Sequence, residues 1–480
     1  MTSFRNAFHS LANTRFGKRY IGDRAFYMTV LGLIVPIIIQ NSITNFVSLL
    51  DNIMVGSVSV NAMNGVSMAN QLVFVFNLFV FGAVSASSIF GAQFYGAGDS
   101  EGVRYSFRYG LMVALGVSIV GSAIFALFRE PLVNMYITTD NPEDVKEMLA
   151  VGTDYALIMI AGLFPFAISQ AYAGILRVTG DTKLPMLAAV TGVMVNFVLN
   201  VVLIFGYLGF PELGARGAAI ATVVSRYVEM LIIVLMAHAR SKHYQEYPSY
   251  RFLKGAYRNF SIPMDLVRRI SVKGFPLLAN EGVWALGMAM LAQLYSRLGS
   301  DVIAANTITS TFSNVFNVVF ISNGTAASVL VGQALGVNDM EGAKLSVRRI
   351  IFFQLVLCVC IGSIMFAVSP LLPYCFGEAD AQIRHIATGM IMVCAAAMPI
   401  NGFAHCAYFI LRSGGRTGIT FIFDSAYTWL IPIPYVYLLV THTDLTILPI
   451  YASCVLLDLI KVALGYILLK KGVWMRNIVS

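Results

Sequence analysis

The sequence predicts an all-α integral membrane protein of twelve transmembrane helices, arranged as two parallel six-helix repeats. Three observations predict this fold: little charge, a series of apolar stretches of bilayer length, and self-similarity at a shift of 240 positions. The 480 residues are 58% apolar and 12% charged, about half the ~25% of a soluble domain. So little polar surface cannot face water. Stretches of about 20 apolar residues suit a hydrocarbon core of about 30 Å. Twelve are present, near 27–50, 66–92, 107–128, 150–174, 185–208, 218–238, 274–296, 309–333, 349–371, 386–411, 418–440 and 447–469. Gly, Ala and Ser inside them permit close helix packing in lipid. The alternating segments of about ten residues that mark a transmembrane barrel do not occur.

In chain order, residues 1–25 form a basic lead. Arg5, His9, Arg15, Lys18 and Arg19 interleave there with Phe4, Phe8, Leu11 and Phe16. This reads either as an interfacial amphipathic helix or as a loosely ordered tail. It has no apolar core, so no cleavable signal peptide is expected. Residues 26–238 hold the first six spans, 239–272 are the longest polar connection and the expected inter-lobe linker, and 273–470 hold the second six spans. A basic tail, 471–480, follows. The net charge is +8. Roughly 25 of the Lys and Arg fall in the termini and alternate loops, as the positive-inside rule requires, so both termini are expected in the cytoplasm and no nucleic-acid partner is implied. The expected location is a bacterial plasma (inner) membrane, multi-pass. All six cysteines lie in the second half without a CxxC, which indicates neither a zinc site nor a redox pair.

The repeat shows in polar as well as apolar residues. At the 240 shift, Pro36 falls on Pro276 and Phe76-Asn77 on Phe316-Asn317. Gln93, Gly96, Asp99, Glu101 and Gly102 fall on Gln333, Gly336, Asp339, Glu341 and Gly342, and Arg108 falls on Arg348. After a length change, Ile175-Leu176-Arg177 falls on Ile410-Leu411-Arg412. Recurring small residues cannot mimic this agreement of charged and amide positions. An even span count per half gives both halves one orientation, hence a parallel repeat. Two similar lobes in a membrane can rock, which suggests transport.

Ionisable groups at membrane depth are functional suspects. Arg226 and Glu229 are three apart on one helix, as are Asp458 and Lys461, so each pair is expected to neutralise itself. Asp51, Glu281 and Asp424 have no such local partner. Desolvation favours the neutral form of a carboxyl, so these groups can exchange a proton. They can also supply the charge of a sodium site made of hard oxygen ligands. Asp51 lies fifteen residues after Pro36, about 22 Å along a straight helix, and Pro36 is a natural kink and hinge point. Asn196 and Asn200 are four apart, on one helical face of span five, and span six offers Thr222. With Asp51 they form either an oxygen cage for one Na+, a pocket for a protonated carboxyl, or simply interhelical hydrogen bonds.

These features resemble the multidrug and toxic compound extrusion (MATE) family of cation-coupled efflux transporters. The carriers of the resemblance are PIIIQ at 36–40, DNIMVG at 51–56, GAQFYGAGDSEG at 91–102 and LRVTGDTKLP at 176–185, with second-half echoes VGQALGVNDMEG and LRSGGRTG. The resemblance implies a V-shaped pair of bundles with alternating access and amphipathic, often cationic substrates, exported in exchange for Na+ or H+. It implies cation or proton coupling at Asp51, with Asn196, Asn200 and Thr222 matching further family positions. Glu281 and Asp424 are then possible second-lobe coupling residues. Asn401 stands where some members carry a span-ten acid, which favours coupling through the first lobe. No other cofactor is implied, and a monomer is the family expectation.

Other classes fit less well. A lipid-linked precursor flippase of related architecture would put several cations into its cavity, and here intramembrane cations are few: Arg226 and Lys461, each with an acid nearby. A membrane-embedded enzyme is disfavoured because HExxH, GxGxxG, Walker and DDxxD motifs do not occur. The same lack of a nucleotide-binding segment excludes an ATP-driven pump within this chain.

Overall fold

Helices make up nearly all of the protein, seen in a computed structural model that describes residues 15–57, 59–137, 141–376 and 380–480. Most of the basic lead, residues 1–14, lies outside these, and Arg15–Tyr20 form a short helix. The first six long helices are α1 (Arg24–Gly56), α2 (Val60–Gly96), α3 (Ser100–Asn134), α4 (Pro142–Val178), α5 (Lys183–Phe205) and α6 (Gly214–Lys242). The second six are α7 (Met264–Ser296), α8 (Ser300–Gly336), α9 (Met340–Val368), α10 (Ala381–Ser413), α11 (417–442, in pieces) and α12 (Ile447–Lys470). Ile119, Leu127, Leu235 and Leu438 are among the large apolar side chains on the outside, as expected where lipid rather than water is the solvent.

Among the described residues eleven helices are long and apolar enough to cross a membrane; the span expected at 418–440 is not one of them. It is built as Thr417–Phe421, a π-helical turn Ile422–Ala426, Tyr427–Leu430, and Pro432–His442. Pro432 and Pro434 explain the break, since neither can donate to the preceding turn. Ile431, just before them, leaves the helical region at φ −120°, ψ −68°. Apolar composition gave the span; the prolines decide that it is not one rod.

The repeated motif has a geometric cause. Asp99 accepts from the backbone nitrogens of Glu101 and Gly102 at 3.0 and 2.9 Å and so caps α3. Its repeat mate Asp339 accepts from Gly342 N at 2.9 Å and caps α9. Each cap follows a left-handed residue, Gly98 (φ 74°) and Asn338 (φ 65°), the two residue types that best tolerate that conformation. The same tight helix-to-helix turn is therefore written twice, 240 residues apart.

The chain divides into two compact units. One comprises residues 39–95 and 99–278, the other residues up to 38, 96–98 and 279–480. Both changes of unit within the long first helices of the repeats fall two residues after a proline: α1 changes after Ile38, beyond Pro36, and α7 after Leu278, beyond Pro276.

In the first of these units the connection between α6 and α7 is folded onto the helices. Arg108, 5% exposed, donates to the carbonyls of Ala256 (2.8 Å), Gly255 (3.0 Å) and Ser261 (3.1 Å). Arg104 donates to Phe252 O at 3.1 Å. Arg240 pairs with Asp181 at 2.9 Å, and the Tyr250 hydroxyl donates to the same carboxylate. Burial, followed by this bond to Asp181, pushes the Tyr250 hydroxyl well above its ordinary pKa.

In the second unit, Leu291, Tyr295, Met390, Ile391 and Ile450 form the centre of a buried apolar cluster. The tail packs on the same unit through Trp474, 2% exposed, and Arg416 donates to Val473 O at 3.1 Å.

Candidate functional site

Asp51, Asn196, Asn200 and Thr222 come together from three helices. Asn196 and Asn200 sit one turn apart on α5 and are 6% and 0% exposed. The Asn200 side-chain nitrogen donates to Asp51 Oδ1 at 2.5 Å and to Asn196 Oδ1 at 3.3 Å. The Asn196 nitrogen faces Thr222 Oγ1 on α6 at 3.2 Å. A half-turn of that amide suits its neighbours better. Its nitrogen then donates to both carboxylate oxygens of Asp51, at 3.1 and 3.2 Å, and its oxygen accepts from Thr222. In this arrangement two amides serve one carboxylate, as a charged acceptor requires. Tyr155 of α4, 4% exposed, completes the wall by facing Thr222 and Asn70.

One oxygen is left over. Asn200 Oδ1 is buried and has no hydrogen-bond partner. An orphaned carbonyl beside a carboxylate is an oxygen donor awaiting a ligand, because such groups are costly to bury unpaired. Among the described residues no group of three His, Cys, Asp or Glu side chains is placed to hold a metal ion. A cation here would instead have one carboxylate and neutral amide and hydroxyl oxygens, from Asp51, Asn200, Asn196 and Thr222. This donor set is hard and carries a single charge, which suits Na+.

Glu281 and Asp424 sit in a separate polar cluster, of the unit that holds residues 279–480. Asp424, on the π-helical turn of α11, is ion-paired with Lys461 of α12 at 3.0 Å and accepts from Asn280 at 3.2 Å. Ser425 donates to Asn280 Oδ1 at 2.7 Å. Glu281 is 8% exposed and faces the charges of Arg412 and Asp424. Lys461 therefore pairs across helices rather than with Asp458 three residues away. Arg226 likewise reaches outward: it donates to Gly162 O at 3.3 Å and lies 4.9 Å over the Phe166 ring, while Glu229 faces both Arg226 and Arg177. Spacing along one helix finds possible pairs; it does not see a better partner on the next helix.

Sequence reasoning missed Tyr155, Gln40 and Arg177. Arg177 donates to Gln40 Oε1 at 3.3 Å. A signal for Arg177 was present, since it falls on Arg412 in the internal repeat; Gln40 falls on Asn280, a different residue. Pro36 lies within α1, four residues before Gln40.

A model of the MatE family matches the chain twice, over residues 36–202 and 277–438, once per repeat. The "Probable multidrug resistance protein NorM" of Thermotoga maritima is 23% identical over 451 residues, covering 94% of this chain and 93% of that protein. The "Multidrug resistance protein MdtK" of Edwardsiella ictaluri is 24% identical over 418 residues, covering 87% and 88%. A solved structure described as the "Outward-facing conformation of a multidrug resistance MATE family transporter of the MOP superfamily" has a TM-score of 0.82 at 19% identity, covering 96% of this chain and 98% of that one. At that identity the likeness speaks for the fold.

Proposed function

The chain belongs to the MatE family, and from that premise we propose that it is a secondary transporter. It exports amphipathic, often cationic organic compounds across a plasma membrane in exchange for Na+ or H+. The relatives' names, as multidrug resistance proteins, support the substrate class. The observation that carries the coupling is the Asp51 site, a carboxylate held by buried amides with one amide oxygen unspent.

The chemistry follows from the hydrogen bonds. With Asp51 ionised, the Asn200 and Asn196 nitrogens point at it. A proton on Asp51 turns an acceptor into a donor and breaks one of those bonds. A sodium ion instead draws the amide oxygens inward and displaces the nitrogens. Either event changes what α1 is tied to beyond Pro36. Transport requires that ion and substrate bind two conformers with different affinity, and a change of bonding on one helix supplies such a difference.

Coupling through this site rather than through Glu281 and Asp424 is favoured because Lys461 already neutralises Asp424. The protein works as a monomer in the bilayer, with both termini and the 239–272 connection in the cytoplasm. Efflux of a cationic dye from cells tests the reading: wild type lowers dye retention and Asp51→Asn does not. Equal efflux by both would refute it.

A further inference from the structure

Helix α1 is held at two places on one face. Gln40 and Asp51 are eleven residues apart, about three helical turns, which returns the second side chain to the side of the first. Asp51 is tied to α5 by Asn200. Gln40, 8% exposed, accepts from Arg177 Nη2 at the end of α4, 3.3 Å away. Gln40 is also the fourth residue beyond Pro36, one turn past the break in the helix's own hydrogen bonding.

Arg177 is not an isolated prop. It faces Glu229 on α6, Glu229 faces Arg226, Arg226 faces Tyr155, and Tyr155 faces Thr222 in the Asp51 site.

The internal repeat supplies an independent second instance. At the 240 shift Gln40 becomes Asn280, and at the 235 shift Arg177 becomes Arg412 and Ala173 becomes Tyr408. In the other unit Asn280 donates to the Tyr408 hydroxyl at 3.3 Å, and Arg412 donates to the same hydroxyl at 3.4 Å. The shorter amide is bridged to its arginine by a tyrosine where the first unit has only Ala173. Different residues maintain the same link, between the amide four residues after the helix proline and the arginine ending the fourth helix of the repeat.

We propose that Arg177 is a positioning residue for ion coupling: through Gln40 it fixes the segment of α1 beyond Pro36, and so sets the reach of Asp51 toward Asn196 and Asn200. This rests on the reading of Asp51 as the coupling group. Losing the link leaves the carboxylate in place but less well held by the amides, so Na+ binds more weakly, whereas a proton, whose binding breaks an amide bond, binds more tightly.

The test uses the full-length protein in proteoliposomes with ethidium as the transported probe, titrating Na+ and, separately, pH. Wild type is compared with Gln40→Leu, Arg177→Gln, Arg177→Lys, the double variant Gln40→Leu/Arg177→Gln, and Asp51→Asn. Gln40→Leu and Arg177→Gln each shift the half-saturating concentration of the driving ion about tenfold, upward if it is Na+ and downward if it is H+, the scale of one hydrogen bond to a charged group. The double variant goes no further than the worse single one, because both remove one interaction. Arg177→Lys, which keeps the charge without the planar fork, falls between wild type and Arg177→Gln. An unchanged half-saturating concentration in Gln40→Leu overturns the proposal, as does a double variant equal to the product of the singles. If Arg177→Gln is not recovered as folded protein, Gln40→Leu decides alone. Ion-driven transport by Asp51→Asn would overturn the coupling reading itself, which the other variants do not touch.

Discussion

The Asn200 side chain donates to Asp51 Oδ1 at 2.5 Å while its own oxygen, equally buried, has no partner. The amide is half used. Its donor stabilises the ionised carboxylate, and its acceptor is free for a cation or for a proton placed on Asp51. Asp51→Asn removes the titratable group and keeps the shape. Expected is loss of ion-coupled efflux, read as drug susceptibility of expressing cells, with unchanged membrane insertion and a monodisperse detergent-solubilised protein. Normal resistance in these cells would count against the role of Asp51.

The amides come next. Asn200→Ala and Asn196→Ala each remove hydrogen bonds to a charged acceptor, worth about 1.5–3 kcal/mol apiece. Ion affinity in a vesicle efflux assay should shift by about tenfold or more for each, downward for Na+, which loses an oxygen ligand, and upward for H+, which no longer competes with those donors. Asn401→Ala, on α10, should change it little. Equal or reversed effects would move the ion site to the other repeat.

The Asp424–Lys461 pair is expected to act on stability. Its side chains are 22% and 13% exposed, and removing one member of such a pair strands a buried charge at about 3–5 kcal/mol. Lys461→Met should lower the detergent melting temperature sharply, and Asp424→Asn/Lys461→Met should recover much of the loss. Two singles without effect would mean that water reaches the pair.

The tail makes a separate test. A Cβ on Gly414 would overlap the Trp474 carbonyl oxygen, so Gly414→Ala must displace the tail. Expected is a loss of about 1–3 kcal/mol and earlier proteolysis within 471–480. Wild-type protease resistance would show that the tail accommodates the methyl group.

The folded connection after α6 gives a topological prediction. Arg258 is exposed, and a cysteine there, in a background lacking the six natural cysteines, should resist an impermeant reagent added outside intact cells. It should label after the membrane is opened. Labelling of intact cells would invert the orientation.

Much of this was legible in the sequence, for identifiable reasons. Asn196 and Asn200 share a face because four residues make about one turn. Asp51 stood out because nothing near it in sequence carries the opposite charge. The twofold architecture was legible because the Asp99 and Asp339 caps repeat a turn whose chemistry admits few residues. Tertiary competition was not legible. Lys461 chose Asp424 over Asp458, and Arg226, besides facing Glu229, took a carbonyl and an aromatic face. The break in α11 was written in Pro432 and Pro434, but a count of apolar residues passes over it. The Gln40–Arg177 contact was not legible because the two residues lie on different helices, 137 positions apart.

The most direct measurement of the central claim is dye efflux from proteoliposomes under a sodium gradient and a pH gradient imposed separately, for wild type and Asp51→Asn. The account predicts that at least one gradient drives wild-type efflux and that neither drives the variant. Efflux by Asp51→Asn at the wild-type rate under the same gradient would contradict it.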